Sequence, residues 1–297
     1  MPREHGSWSL ALEPVALGLL VAPSHAGAWL ALAVGAGFFT RRPLKLACTL
    51  PATDTRRAAA WRWVLAFATL AITALLLAST TNDASPVSAP HSAKLLNTQN
   101  SSCPDSAALE SQREATAESH APSLLNKQFW TGAYSLWPLL LALPFGGAFL
   151  WFDLRGEMRE AEAELAGCTA FALVPAAFAT LAGWAAGPAL GLAALMLARS
   201  IPTVLTVRSY VRSAKGQSAS VRPALLSAGA SLLGVTALAT FHQIPALACA
   251  FVALLVARSA LFLSPLAPVW SAKRIGMLEA VLGLTYLAGL AVAYAWR

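Results

Sequence analysis

The sequence predicts an all-α, polytopic membrane bundle of about nine transmembrane helices, with the N-terminus cytoplasmic and the C-terminus outside. Three observations predict it. Hydrophobic residues make up 57% of the 297 and charged residues 12%, with a mean hydropathy of +0.59, which is far more apolar than a water-soluble domain. The apolar residues fall in stretches that meet or approach the roughly 20 needed to cross about 30 Å of hydrocarbon. Lys and Arg sit in short runs between these stretches rather than on one soluble face. The net charge of +7 therefore reads as a membrane-orientation signal and argues against a nucleic-acid partner.

The apolar runs lie at about 8–22, 27–39, 61–79, 132–152, 165–182, 188–207, 223–240, 244–263 and 275–296. Each has to be helical, because unpaired backbone groups cannot face lipid. The first two are short and are joined by Ala22-Pro23-Ser24-His25-Ala26-Gly27, turn residues without Lys or Arg, so they form a tight hairpin. Ser24-His25-Ala26 loosely resembles a signal-peptide cleavage site, but Glu13 and Pro14 interrupt the would-be apolar core and Glu4 offsets Arg3, so a retained first helix is expected. With the N-terminus inside, every Lys and Arg of the 21 except Lys94, Arg113, Lys127 and Arg297 falls on the cytoplasmic side. One helix more or fewer would put the later basic loops on the wrong side.

The segment at about 80–131 is rich in Ser, Thr, Asn, Ala and Pro and has no apolar period. It is expected to be a disordered, polar, extracytoplasmic loop interrupting a single transmembrane domain over 1–297. Trp8, Trp130, Trp137 and Trp151 fall near helix ends, as an interfacial aromatic belt requires. The four cysteines include no C-x-x-C pair and indicate neither zinc nor a disulfide framework.

Three groups of residues could carry chemistry. His5, Ser9 and Glu13 stand at i, i+4 and i+8 and send a polar stripe into the first helix, where Pro14 frees the carbonyl of Leu10. An ionisable side chain at that depth marks a functional interior by default, usually with a partner; the plainer alternative is that Glu13 pairs only to hold the bundle together. Glu13 and His5 are the candidate acid–base groups.

The second group is basic. Leu197-Ala198-Arg199-Ser200 and Val256-Ala257-Arg258-Ser259 share an A-R-S frame at the inner ends of two helices, a weak hairpin repeat. Arg199, Thr203, Thr206 and Tyr210 follow i, i+4, i+7 and i+11, with Arg208 and Arg212 on an adjoining face. Together with Arg42, residues Arg199, Arg208, Arg212, Arg258, Thr203 and Tyr210 form a candidate anion site, since guanidiniums fork onto phosphate or carboxylate oxygens and hydroxyls complete the shell. The competing account is that arginines near inner helix ends only snorkel to lipid phosphate. Arg199 and Arg258 lie within apolar runs and need counter-charges that Glu13 alone cannot supply, so a bound anion is expected.

The third group is Asp153, Glu157, Glu160 and Glu164, spaced to align on one helix face. Asp153 and Glu157 are the pair that could reach Mg²⁺, but such a run reads first as a solvated face, and no metal site is assigned. The residues name no cofactor.

Glu4-His5-Gly6-x-Trp8 before a Pro-broken helix, Arg42-Pro43-Leu44, Phe152-Asp153-x-Arg155-Gly156 and Glu164-Leu165-Ala166-Gly167 together resemble the YwiC-like family of bacterial membrane proteins. The resemblance covers most of the chain outside the 80–131 loop and implies a multi-pass protein of the bacterial inner (plasma) membrane; it carries no activity. Nine helices with polar inner loops after the second and sixth are also similar in architecture to the UbiA prenyltransferase superfamily, whose enzymes bind Mg²⁺ and a prenyl diphosphate through Asp-rich motifs there. The matching segments here, Arg41–Lys45 and Arg208–Gly216, lack paired aspartates, so metal–diphosphate chemistry lacks its ligands and the question of enzyme activity stays open.

These readings converge on an integral membrane protein, with the lipid bilayer as its partner and a cytoplasm-facing polar pocket for an anionic, isoprenoid or lipid-linked ligand. The alternatives are a small transporter, whose route Glu13 and the arginines would line, and a membrane accessory subunit whose charges pair internally.

Overall fold

The computed structural model describes residues 5–81, 134–158, 160–265 and 270–296. The segment at 82–133, and with it most of the expected polar loop, lies outside the described residues, as do Arg159, Arg297 and the side chain of His5.

All regular structure among the described residues is helical: α1 (His5–Val21), α2 (His25–Thr49), α3 (Thr55–Thr80), α4 (Trp137–Arg155), α5 (Ala161–Ala172), α6 (Val174–Leu181), α7 (Ala186–Ala214), α8 (Arg222–Thr240), α9 (Leu247–Leu263) and α10 (Ala272–Ala295). Leu173, with αR dihedrals, joins α5 to α6 as one apolar rod. The described helices therefore form nine rods, matching the nine apolar runs, and six of these are long and apolar enough to cross a membrane. Leu140, Leu226, Leu233 and Leu284 stand exposed on helix flanks, the positions lipid would cover in a bilayer.

Local chemistry sets the boundaries. Ser24 caps α2 by accepting the Gly27 N–H at 2.9 Å, which closes the expected α1–α2 hairpin. Asp54 caps α3 by accepting the Arg56 N–H at 2.8 Å. Gly156, at φ 80°, ends α4 in the left-handed region that glycine alone enters freely.

Two expectations need correction. Arg41, Arg42 and Lys45 do not sit in a loop after a helix ending at 39, because α2 runs on to Thr49, through Pro43. Likewise Arg208 and Arg212 belong to α7, and the connecting loop begins only after Ala214. Hydropathy ends a run where charges begin, but the backbone continues helical as long as those charges find partners on neighbouring helices.

The core sits around α6, all eight of whose residues are buried. Leu17, Leu192, Leu195, Met196, Tyr286 and Leu290 pack with Phe178 in one apolar cluster. The close approach of α1 and of α2 to α6 depends on small residues: a Cβ on Gly18 or Gly27 would press into the Phe178 ring. A smaller cluster of Tyr210, Phe262 and Ile275, with Trp270, ties the ends of α7 and α9 to the start of α10. It defines one end of the bundle, and the charged residues gather there.

Candidate functional site

Four groups of buried or half-buried ions link the helices near this end. On α7, Arg199 is 4% exposed and grips Glu13 of α1 with both arms of its fork, Nε to Oε2 at 2.9 Å and Nη2 to Oε1 at 2.6 Å. On α9, Arg258 is 8% exposed and pairs through Nη2 with Glu279 of α10, while its Nη1 reaches Ser259 Oγ at 3.4 Å. Arg208 of α7 holds Glu164 of α5 at 3.0 Å. Asp153, near the end of α4 and 3% exposed, accepts from Arg41 Nε at 2.7 Å and from Lys45 Nζ at 3.0 Å, both on α2.

The first two groups adjoin through α10. A Cβ on Gly283 would overlap both Arg199 Nη2 and Glu13 Oε1, so the bare backbone of α10 is what lets the pair close. Glu279 stands one helical turn earlier on the same face. One turn later Tyr286, whose ring lies 5.8 Å from the Arg199 carbon, donates its hydroxyl to the Leu195 carbonyl at 2.8 Å. Two arginines and two glutamates thus cancel formally within four helices.

The arginine donors are not exhausted. Arg199 Nη1 and Arg258 Nε are buried and have no acceptor among the described residues, and neither has Thr206 Oγ1, on a residue 0% exposed two turns beyond Arg199. Arg41 Nη1 is in the same state, its guanidinium carbon 5.5 and 5.4 Å from the centres of the Phe38 and Phe149 rings.

The expected site residues are distributed as follows. Glu13, Arg199 and Arg258 come together in the buried quartet. Arg208 is bound to Glu164 at the α5–α7 contact. Tyr210 is buried and accepts the Trp270 N–H at 2.9 Å. Thr203 is half-buried on α7, and Arg42 and Arg212 are exposed. The carboxylate run does not share a helix face: Asp153 belongs to α4, Glu157 and Glu160 to the connection, and Glu164 to α5. Gly156 breaks the helix that the spacing assumed. No three His, Cys, Asp or Glu side chains converge as a metal site among the described residues.

The premise that Glu13 is the sole carboxylate available to Arg199 and Arg258, the ground for expecting a bound anion, does not hold, because Glu279 serves Arg258. Its signal was present in the sequence: Glu279 is the one acidic residue in the last apolar run. Gly283 carried no such signal.

Two apolar cavities adjoin the helices that carry these ions. One, of about 10 Å³, is lined by Phe251, Leu255 and Tyr286; the other, of about 220 Å³, lies among α2, α3 and α4 and is lined by Leu30, Val34, Ala71 and Leu139.

Apolar rods joined by buried ion pairs define a multi-pass integral membrane protein. Residues 1–98 match the family described as YwiC-like protein, a stretch that holds the Glu4-His5-Gly6-x-Trp8 and Arg42-Pro43-Leu44 motifs together with Glu13. Comparison with curated proteins and with solved structures finds no match.

Proposed function

We propose that the chain is an inner-membrane protein of bacterial type that holds an anionic, lipid-linked or isoprenoid ligand at the basic end of its bundle, facing the cytoplasm. The observation that supports this reading most directly is the set of buried guanidinium donors without acceptors, Arg41 Nη1, Arg199 Nη1 and Arg258 Nε, although Glu279 Oε2 in the same quartet is a buried acceptor without a donor. A buried charged donor left unmade is costly, and a phosphate or carboxylate beside either group of arginines would satisfy it. Glu13 then acts as the ion-pair group that holds Arg199 ready, with Thr203, Tyr210, Arg208 and Arg212 on the same helix toward the mouth. An architecture like that of the UbiA superfamily would suit such a ligand, with guanidiniums in place of Asp-held metal.

The test is ligand charge. In discs of neutral phosphatidylcholine, farnesyl phosphate should raise the melting temperature and farnesol should not. Equal effects of the two, or no effect of the phosphate, would remove the proposal.

The Glu13–Arg199 and Arg258–Glu279 pairs favour a second reading, a small transporter, because intramembrane charges that adjoin across four helices also mark translocation routes. Uptake of labelled anions into proteoliposomes would decide for it.

A further inference from the structure

The α2–α4 contact differs from the buried quartet in its charge balance. Arg41 and Lys45 both converge on the single carboxylate of Asp153, leaving one formal positive charge over. The Asp153 side chain is 5% exposed and that of Arg41 12%, so water does little to screen this pair, whereas Lys45 reaches the boundary. Arg41 also lies against two rings, Phe38 and Phe149, and Phe149 is itself seated against Gly167 of α5, where a Cβ would collide with the ring. A fixed fork with an idle Nη1, beside a lysine that is 38% exposed, is pre-organised for an oxyanion arriving from the membrane boundary.

The apolar groove of about 220 Å³ lies along the same two helices. Leu30 and Val34 line it and share a face of α2 with Arg41 and Lys45, since intervals of 7, 11 and 15 residues return close to the same direction. Val34 is roughly 10 Å from Arg41 along the axis and Leu30 roughly 16 Å, at 1.5 Å per residue. On α4, Leu139 lines the groove and Asp153 lies toward the charged end, so charge and groove follow one another in the same direction on both helices. The groove is smaller than the roughly 300–1,000 Å³ of a drug-sized pocket and suits one hydrocarbon chain rather than a ring system.

We propose that Arg41 and Lys45, oriented by Asp153, bind the phosphate of a single-chain lipid phosphate monoester whose hydrocarbon chain lies in the α2–α3–α4 groove. This deepens the functional reading above, on which it rests, by naming a headgroup site and a chain path apart from the neutralised quartet. No covalent step is involved: Arg41 Nη1 and Lys45 Nζ donate to phosphate oxygens, and Asp153 holds both cations in place.

The experiment measures binding of dodecyl phosphate, inorganic phosphate and dodecanol to the full chain in phosphatidylcholine discs. Dodecyl phosphate should bind more tightly than either fragment. Arg41→Gln and Lys45→Gln should each weaken it about tenfold to a hundredfold, the scale of a lost charged contact. Lys45→Gln retains the Arg41–Asp153 pair and so keeps the fold if Arg41→Gln does not. Ala71→Phe, which fills the groove, should weaken dodecyl phosphate and leave inorganic phosphate unchanged, and Arg56→Gln, at an exposed cation outside the site, should change neither. Inorganic phosphate binding as well as dodecyl phosphate would overturn the chain path. If farnesyl phosphate binds but R41Q, K45Q and A71F leave dodecyl phosphate unaffected, this site is overturned while the broader reading stands; if no anionic amphiphile binds the wild type, both fall.

Discussion

Arg199 reaches across 186 residues of sequence to clasp Glu13 with two charged hydrogen bonds, joining α7 to α1 inside an apolar bundle. Removing one partner leaves the other charge buried and uncompensated, which costs about 3–5 kcal/mol, whereas removing both exchanges the pair for neutral groups. E13Q and R199Q should therefore each lower thermal stability strongly, and the double variant should lose much less than their sum. Additive losses in a double-mutant cycle would show that the two residues do not depend on one another.

Arg258 and Glu279 should behave as an equivalent pair. E279Q is expected to destabilise about as much as E13Q, on the order of 3–5 kcal/mol, and R258Q/E279Q should recover most of the loss. A harmless E279Q would mean that Arg258 is held by something else.

Gly283 offers a test that leaves every charge in place. G283A puts a methyl group onto Arg199 and Glu13, and overpacking of that kind costs about 1–3 kcal/mol. Gly276, seven residues earlier on α10 and with nothing within 4 Å of an added Cβ, is the control: G276A should leave stability unchanged or raise it by up to about 1 kcal/mol, the helix-propensity gain over glycine. Melting curves of the two variants give the comparison directly.

Asp54 lies outside the spans, and its carboxyl is held below the usual carboxylate range, first by the Arg56 backbone N–H, which outweighs an opposing effect of desolvation, and then to a lesser degree by the Arg56 guanidinium. A folded-state pKa below the unfolded value stabilises above the ordinary Asp range, and that contribution disappears as pH falls through the lowered value. Amide exchange at Arg56, measured down through that range and corrected for its intrinsic pH dependence, should show protection fading in acid. D54N, which keeps an acceptor oxygen but cannot titrate, should flatten the change.

Topology is checked with reporter fusions. Those within 215–220 and at 270 should score in one compartment, as should fusions at 51–54, and the chain end at 297 in the opposite one. Residue 215 reporting with 297 would contradict the alternation of rods and remove the basic end from the cytoplasm.

Much of the fold was legible because spanning is a local property. A run of about 20 apolar residues must become a helix wherever lipid is its solvent, so the nine runs and the α1–α2 turn follow from the order of residues alone. The A-R-S frames and Glu13 were equally visible as charges that could not remain unpaired in such surroundings. Which charge meets which was not legible. Glu279 with Arg258, Glu164 with Arg208, and Asp153 with Arg41 and Lys45 are contacts between different helices, decided by how the rods rotate and approach. That approach depends on close packing at Gly18, Gly27, Gly167 and Gly283, where the absence of a side chain leaves no hydropathy signal at all. The sequence by itself determined that the chain is a membrane bundle with buried charges to reconcile. Only the tertiary structure decided the partners, because reconciling a charge in a low-dielectric interior depends on distances of a few ångströms between residues as far as 186 positions apart.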